Sequence, residues 1–238
     1  METTLQYKFP DPSDANKDGL VAVGGNLSIE CLLSAYTNGI FPWFNPGDPI
    51  LWWSPDPRTV IYPAQIHLSR STKRAIKKSA FTFSFDKEFR RVITNCAKPR
   101  EKDKSDQGSW ITRQMVDAYC DMFKSGYAHS VECWLDDKLC AGVYGVALGK
   151  AFFAESMFSR VSESSKLALV TLLKQLQLWQ YDLLDCQMPS EIVTQLGAIS
   201  ISRVAFTKHI RQITKNHHPE YWSDYSPVDI KNLIRTGK

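Results

Sequence analysis

Residues 130–158 leave a folding chain little choice. Ser130–Leu135 alternates polar and apolar side chains, and Asp136-Asp137-Lys138 makes a turn. Leu139–Leu148 is a second extended run, Gly149-Lys150 a second turn, and Ala151–Phe158 a third run. Period-two alternation broken by short turns predicts an antiparallel meander. A long amphipathic helix over Ser164–Gln180 and a strand over Leu183–Gln187 follow. Together these predict a mixed sheet in an α+β domain.

The rest of the chain is read around that centre. Residues 1–62 are rich in turns, with Pro10, Pro12, Gly24-Gly25, Pro42, Pro46, Pro49, Pro55 and Pro57 around one helix. Ser28 is a suitable N-cap for Ile29–Asn38, and Gly39 ends it. This predicts a small N-terminal domain over 1–62 and a larger domain over 63–238. Helices are expected over His67–Ser79, Asp86–Cys96 and Thr112–Ser125, with a polar loop at Lys98–Gly108. A short helix near Glu191–Leu196, a last strand over Ile201–Phe206 and a basic helix to about Lys215 complete the domain. The tail after His217 reads as weakly ordered.

Composition excludes several classes. The chain is 43% hydrophobic and 23% charged, which suits a globular core. No apolar run approaches the roughly 18 residues that span a bilayer, and no secretory h-region opens the chain. The six cysteines contain no C-x-x-C pair and no neighbouring His pair, so neither a zinc site nor a disulfide scaffold is expected. These features point to the cytoplasm. A net charge of +4 permits a nucleic-acid partner without requiring one.

Four segments carry residues suited to chemistry. Period two puts Phe153, Glu155 and Met157 on one face of the third strand. A carboxylate between large apolar neighbours needs a partner, either a nearby Arg or a cationic group of a substrate. Asp185-Cys186-Gln187 ends a strand after a helix, a place where open sheets bind ligands, although Asp185 also suits a turn. Gly142 and Gly145 interrupt the middle strand, where a close approach by a backbone or ligand is possible. Trp52-Trp53, held in a proline turn before Arg58, either stack on an unpaired nucleobase or pack between domains. Arg70, Lys73, Arg74, Lys77 and Lys78 share a helix face, which is a solvated surface or a phosphate-contacting stripe.

Several long stretches, in order, resemble one family. They are GLVAVGGNLS (19–28), LLSAYTNGIFPWF (32–44), PILWWSPDPRTVIYP (49–63), HLSRSTKR (67–74), WITRQMVDAY (110–119), GYAHSVECW (126–134), AGVYGVALG (141–149), ESMFSR (155–160), LLDCQ (183–187) and LGAISISR (196–203). The chain resembles the leucyl/phenylalanyl-tRNA–protein transferases along nearly its whole length. The resemblance implies a small N-terminal domain and a larger GNAT-like acyltransferase domain. It implies transfer of Leu, Phe or Met from aminoacyl-tRNA to proteins beginning with Arg or Lys, marking them for N-end-rule degradation. No metal or soluble cofactor, no membrane, and a monomer are implied.

Residue by residue, the resemblance assigns Asp185, Gln187 and Glu155 to the catalytic and acceptor-binding positions. Trp53, Trp110 and Tyr119 match positions near the 3′-terminal adenosine, and Val143 and Phe152 match walls of the pocket for the transferred side chain. Arg70, Lys73, Arg74 and Lys77 lie where the tRNA acceptor stem is met. The expected mechanism has Asp185 remove the proton of the attacking amine with Gln187 as relay or orienter, while Glu155 helps hold the cationic acceptor terminus; assistance by the ribose hydroxyl of the substrate is the alternative. The chain departs from the family at Ile192-Val193-Thr194-Gln195, which lack the usual His and Ser, at Glu163-Ser164-Ser165-Lys166, and at Val143, often a longer Met. An acyl-CoA-dependent N-acetyltransferase shares the fold class, but no Q/R-x-x-G-x-G/A loop lies around Ser159–Lys166. A non-catalytic RNA-binding module leaves Glu155 and Asp185-Cys186-Gln187 without a purpose.

Overall fold

The computed structural model describes residues 7–98, 109–217 and 221–232. The loop expected at Lys98–Gly108 lies almost wholly outside these residues. The elements in order are β1 (Leu20–Val23), α1 (Ile29–Thr37), β2 (Phe41–Pro42), β3 (Leu51–Trp53), β4 (Arg58–Ile61), α2 (Arg70–Lys78), β5 (Thr82–Phe85), α3 (Phe89–Cys96) and α4 (Arg113–Lys124). Then come β6 (Ala128–Leu135), β7 (Lys138–Leu148), β8 (Ala151–Ser159), α5 (Ser164–Leu178), β9 (Leu183–Gln187), α6 (Glu191–Gln195), β10 (Ile199–Ile201) and α7 (Arg203–Ile213). Among the described residues the strands form a three-stranded sheet, β1-β3-β2, and a seven-stranded sheet, β10-β4-β9-β8-β7-β6-β5. The class is α+β, and the larger sheet is mixed because β8 and β9 run parallel.

The meander forms as expected. Its first turn has Asp136 and Asp137 both at positive φ, 49° and 58°, the conformation that matches the twist of a two-residue hairpin. The pairing of β7 with β8 slips once. Tyr144 faces Ser156 and Gly145 faces Ala154, so Glu155 is the extra residue of a bulge. The slip corrects the face assignment. Phe153 joins the apolar cluster of Tyr36, Tyr119 and Tyr144, whereas Met157 packs with Val143 and Phe152 on the other side. Glu155 therefore shares a face with Phe153 but not with Met157.

Other expectations shift for local reasons. Arg58–Ile61, assigned to the first 62 residues, is a strand of the large sheet between β9 and β10. Apolar residues of α1, β2 and β3 pack in one continuous cluster with α3, α4 and β7. The strand expected at Ile201–Phe206 stops at Ile201, because the Ser202 side chain accepts from Ala205 N and starts α7. Asp86 takes φ 56° and starts no helix; α3 begins at Phe89. β5 was not anticipated; its partner is the edge of the meander, β6. Among the described residues beyond His217, the chain is anchored at Trp222. Trp222 is 1% exposed, among the rings of Phe85, Phe152, Trp179 and His129.

Gly142 and Gly145 admit neighbouring protein atoms, not a ligand. A Cβ on Gly145 would sit 2.1 Å from the Phe153 carbonyl oxygen and 2.6 Å from the Phe152 ring, and one on Gly142 would sit 2.8 Å from Val92.

Candidate active site

The site is built where two parallel strands part. β8 and β9 pair from Ala151/Leu183 to Phe153/Asp185. Past that point Glu155 and Gln187 meet side chain to side chain, with Gln187 Nε2 donating to Glu155 Oε1 at 2.9 Å. Both residues are re-aimed by irregularities. Glu155 is the bulged residue of β8, and a register shift between β4 and β9 sets Cys186 out of the ladder. Gln187 then adopts φ 62°, a left-handed conformation that costs a non-glycine residue about 1–2 kcal/mol.

Asp185 holds that conformation. Its Oδ1 accepts from the Gln187 backbone N–H at 2.9 Å. It also accepts two bonds from Arg58, Nε to Oδ1 at 2.9 Å and Nη2 to Oδ2 at 2.6 Å. Both side chains are fully buried. The Arg58 guanidinium lies between the Phe41 and Phe206 rings, 4.7 and 4.6 Å from their centroids. The residue expected as the base is thus engaged on both oxygens, its charge balanced in a bidentate pair and three hydrogen bonds accepted in all.

Glu155 has only neutral hydrogen-bond partners among the described residues. It is 7% exposed, and its Oε2 accepts from Tyr119 Oη at 2.9 Å. Tyr119 Oη is in turn hydrogen-bonded to Tyr36 Oη. Burial pushes the Glu155 carboxyl up to about 7; the Asp185 charge acts in the same direction, and Tyr36, Tyr119 and Arg58 oppose it. Tyr36 was missed by the sequence reading, since a tyrosine inside an apolar helix looks like core.

The remaining expected residues divide between faces. Trp53 and Trp110 are half-buried and pack on the cluster that holds Tyr36 and Tyr119. The Trp53 indole donates to the Trp43 carbonyl at 2.6 Å, and the two rings are 6.0 Å apart. Trp43 is 47% exposed, while Trp52 is fully buried with its indole donating to the Gly24 carbonyl. The exposed ring beside Trp53 is thus Trp43. The signal was present, because Trp43 follows Pro42 in the same turn-rich region. Val143 and Phe152 are buried on the opposite face of the sheet, against α5, so the structure does not place them with Trp53, Trp110 and Tyr119.

The basic helix is at the surface. Arg70, Lys73, Arg74, Lys77 and Lys78 of α2 are exposed, Thr72 and Ile76 face inward, and none of the five has an ion-pair partner among the described residues. A cleft of about 710 Å³ runs between α2, the start of α5 and the end of α6, lined by Ser71, Arg74, Lys78, Lys166, Thr194 and Gln195 among others. Lys166, Thr194 and Gln195 belong to the stretches that depart from the family pattern. Among the described residues no group of three or more His, Cys, Asp or Glu is placed to hold a metal.

Comparison with known proteins identifies the family. The family profile described as leucyl/phenylalanyl-tRNA protein transferase matches residues 60–211, and the profile of that family's N-terminal domain matches residues 25–56. A leucyl/phenylalanyl-tRNA–protein transferase of Cellvibrio japonicus is 47% identical over 224 residues, covering 92% of this chain and 94% of its own. One from Nitrosomonas europaea is 49% identical over 196 residues, 82% of each chain. Among solved structures, a GCN5-related N-acetyltransferase from Kribbella flavida has a TM-score of 0.38 at 9% identity, over 69% of this chain and 57% of that one.

Proposed function

The chain belongs to the leucyl/phenylalanyl-tRNA protein transferase family, and on that premise we propose that it moves Leu, Phe or Met from aminoacyl-tRNA to the α-amine of proteins beginning with Arg or Lys. The product would enter N-end-rule degradation, and the enzyme would act as a cytoplasmic monomer. The observation that carries the reading is the chain of bonds from Arg58 through Asp185 and Gln187 to Glu155.

The acceptor arrives as an ammonium, whose ordinary pKa is about 8. Glu155 as carboxylate binds this cation and takes one proton from it. With its amide nitrogen committed to Glu155, Gln187 turns its carbonyl oxygen outward, where it accepts from the same ammonium and aims the lone pair. The neutral amine attacks the ester carbonyl. The new C–N bond forms and the C–O bond to the terminal ribose breaks; the nitrogen passes a second proton to the leaving oxygen, and Glu155 then releases the first to solvent. Asp185 and Arg58 are positioning residues that keep Gln187 in its strained conformation. Trp43, Trp53 and Trp110 offer ring faces to the terminal adenosine, each stack being worth about 1–3 kcal/mol. Val143 and Phe152 reach the transferred side chain only from the α5 face of the sheet. The basic face of α2 meets the acceptor stem through phosphates.

A transfer assay with Leu-, Phe- and Met-tRNA against peptides beginning with Arg, Lys, Asp or Ala tests the activity. The Glu155→Gln variant should lose about 100-fold or more in turnover at pH 7 and still bind aminoacyl-tRNA. Turnover within a factor of about two of wild type would remove Glu155 as the proton acceptor.

A further inference from the structure

Glu155 is approached from five elements. Tyr119 of α4 and Gln187 of β9 bond to it, and Tyr36 of α1 bonds to Tyr119. The charges of Asp185 on β9 and Arg58 on β4 act on it, and its own charge acts on the Tyr144 phenol of β7. Tyr36, Tyr119 and Tyr144 are all fully buried. Only Tyr144 has a hydroxyl without a partner.

The direction of each bond follows from proton counting. A carboxylate only accepts, so Tyr119 spends its single proton on Glu155. The Tyr119 oxygen can then only accept from Tyr36, so Tyr36 donates. Burial pushes both phenols far above their ordinary range, so each keeps its proton at neutral pH. A donor that is itself receiving a hydrogen bond is polarised and donates more strongly. The Tyr36 ring is fixed for this by packing 5.0 Å from the ring of Phe153, the neighbour of the bulge.

We propose that Tyr36 is a positioning residue for the transfer reaction: through Tyr119 it holds the Glu155 carboxyl in place and favours its charged form. The proposal rests on the reading of Glu155 as proton acceptor. It also means that the catalytic centre is incomplete without α1, an element of the small N-terminal part of the chain.

The experiment is single-turnover transfer from Leu-tRNA to an Arg-initiated peptide between about pH 5.5 and 9, for wild type and three Tyr→Phe variants, with thermal unfolding measured on each. In wild type the rate rises with pH to a plateau, with its midpoint near 7. Tyr36→Phe removes an interaction favouring the carboxylate, so the midpoint moves up. A move of one pH unit costs about fivefold at pH 7 and nothing on the plateau. Tyr119→Phe, which cuts the direct bond, moves it in the same direction and serves if Tyr36→Phe does not fold. Tyr144→Phe, which has no bond to lose, leaves it in place. A rising limb that stays put in Tyr36→Phe and Tyr119→Phe, or a uniform fall at all pH values, overturns the proposal while Glu155 keeps its role. A wild-type profile without a limb near neutrality overturns both together.

Discussion

At the residue scale the site separates two carboxylates that look alike in sequence. Asp185 is neutralised by Arg58, whereas Glu155 is buried with only neutral donors in contact. The second arrangement keeps a carboxyl poised near neutral pH, and it carries a stability cost that can be measured. The folded-state value of about 7 lies above the ordinary 4.5. Between these pH values the folded chain binds more protons than the unfolded one, so stability falls as pH rises from about 4.5 to 7 and is level above. The gap corresponds to about 3 kcal/mol as an upper bound. Glu155→Gln should therefore be more stable than wild type at pH 8, by up to that amount, and equal to it below about pH 4.5. Urea unfolding at the two pH values checks this; equal stability at both would show that burial of Glu155 is not what raises its pKa. The acidic identity of both residues, and their places on two strands, were legible from the chain alone. Which of them is free was not, because Arg58 is 127 residues from Asp185.

At the element scale the meander, α1 and β9 follow from local signals: alternation, paired turn residues and the Ser28 cap. The misses share one cause. Glu155 changes face because β8 slips by one residue against β7, and a bulge leaves no mark in a period-two pattern. Ile201–Phe206 reads as a strand, yet its second residue, Ser202, caps a helix. The α2 helix was visible as a basic stripe, and its cations remain unpaired among the described residues, as a polyanion-binding face requires. Lys73→Ala with Arg74→Ala should lower tRNA affinity and flatten the slope of log K against log salt by about 2. Lys78→Ala with Lys166→Ala probes the adjoining cleft in the same way. Filter binding of tRNA at several salt concentrations measures both, and unchanged slopes would make α2 an ordinary solvated surface.

At the scale of the whole molecule, contributions from distant parts of the chain converge on one sheet. Phe41 and Phe206 clamp Arg58 from opposite ends of the sequence, and Trp222 closes the α5 side against Phe152. Trp222 lies beyond residues 60–211, the span matched by the family profile. Trp222→Ala should nonetheless destabilise the protein by about 3–5 kcal/mol, since it empties a fully buried aromatic site. Thermal and urea unfolding check it; a loss below about 1 kcal/mol would mean that the core closes without the tail. The amino-acid sequence by itself determined the fold class, the succession of most of its elements and the family, since these rest on short-range periodicity and on motifs contiguous in the chain. Only the tertiary structure decided the state of each functional group. Ionisation, strain and orientation depend on what lies within a few ångströms, and here those neighbours come from α1, β4, α4, β8 and β9, brought together by packing that no local pattern encodes.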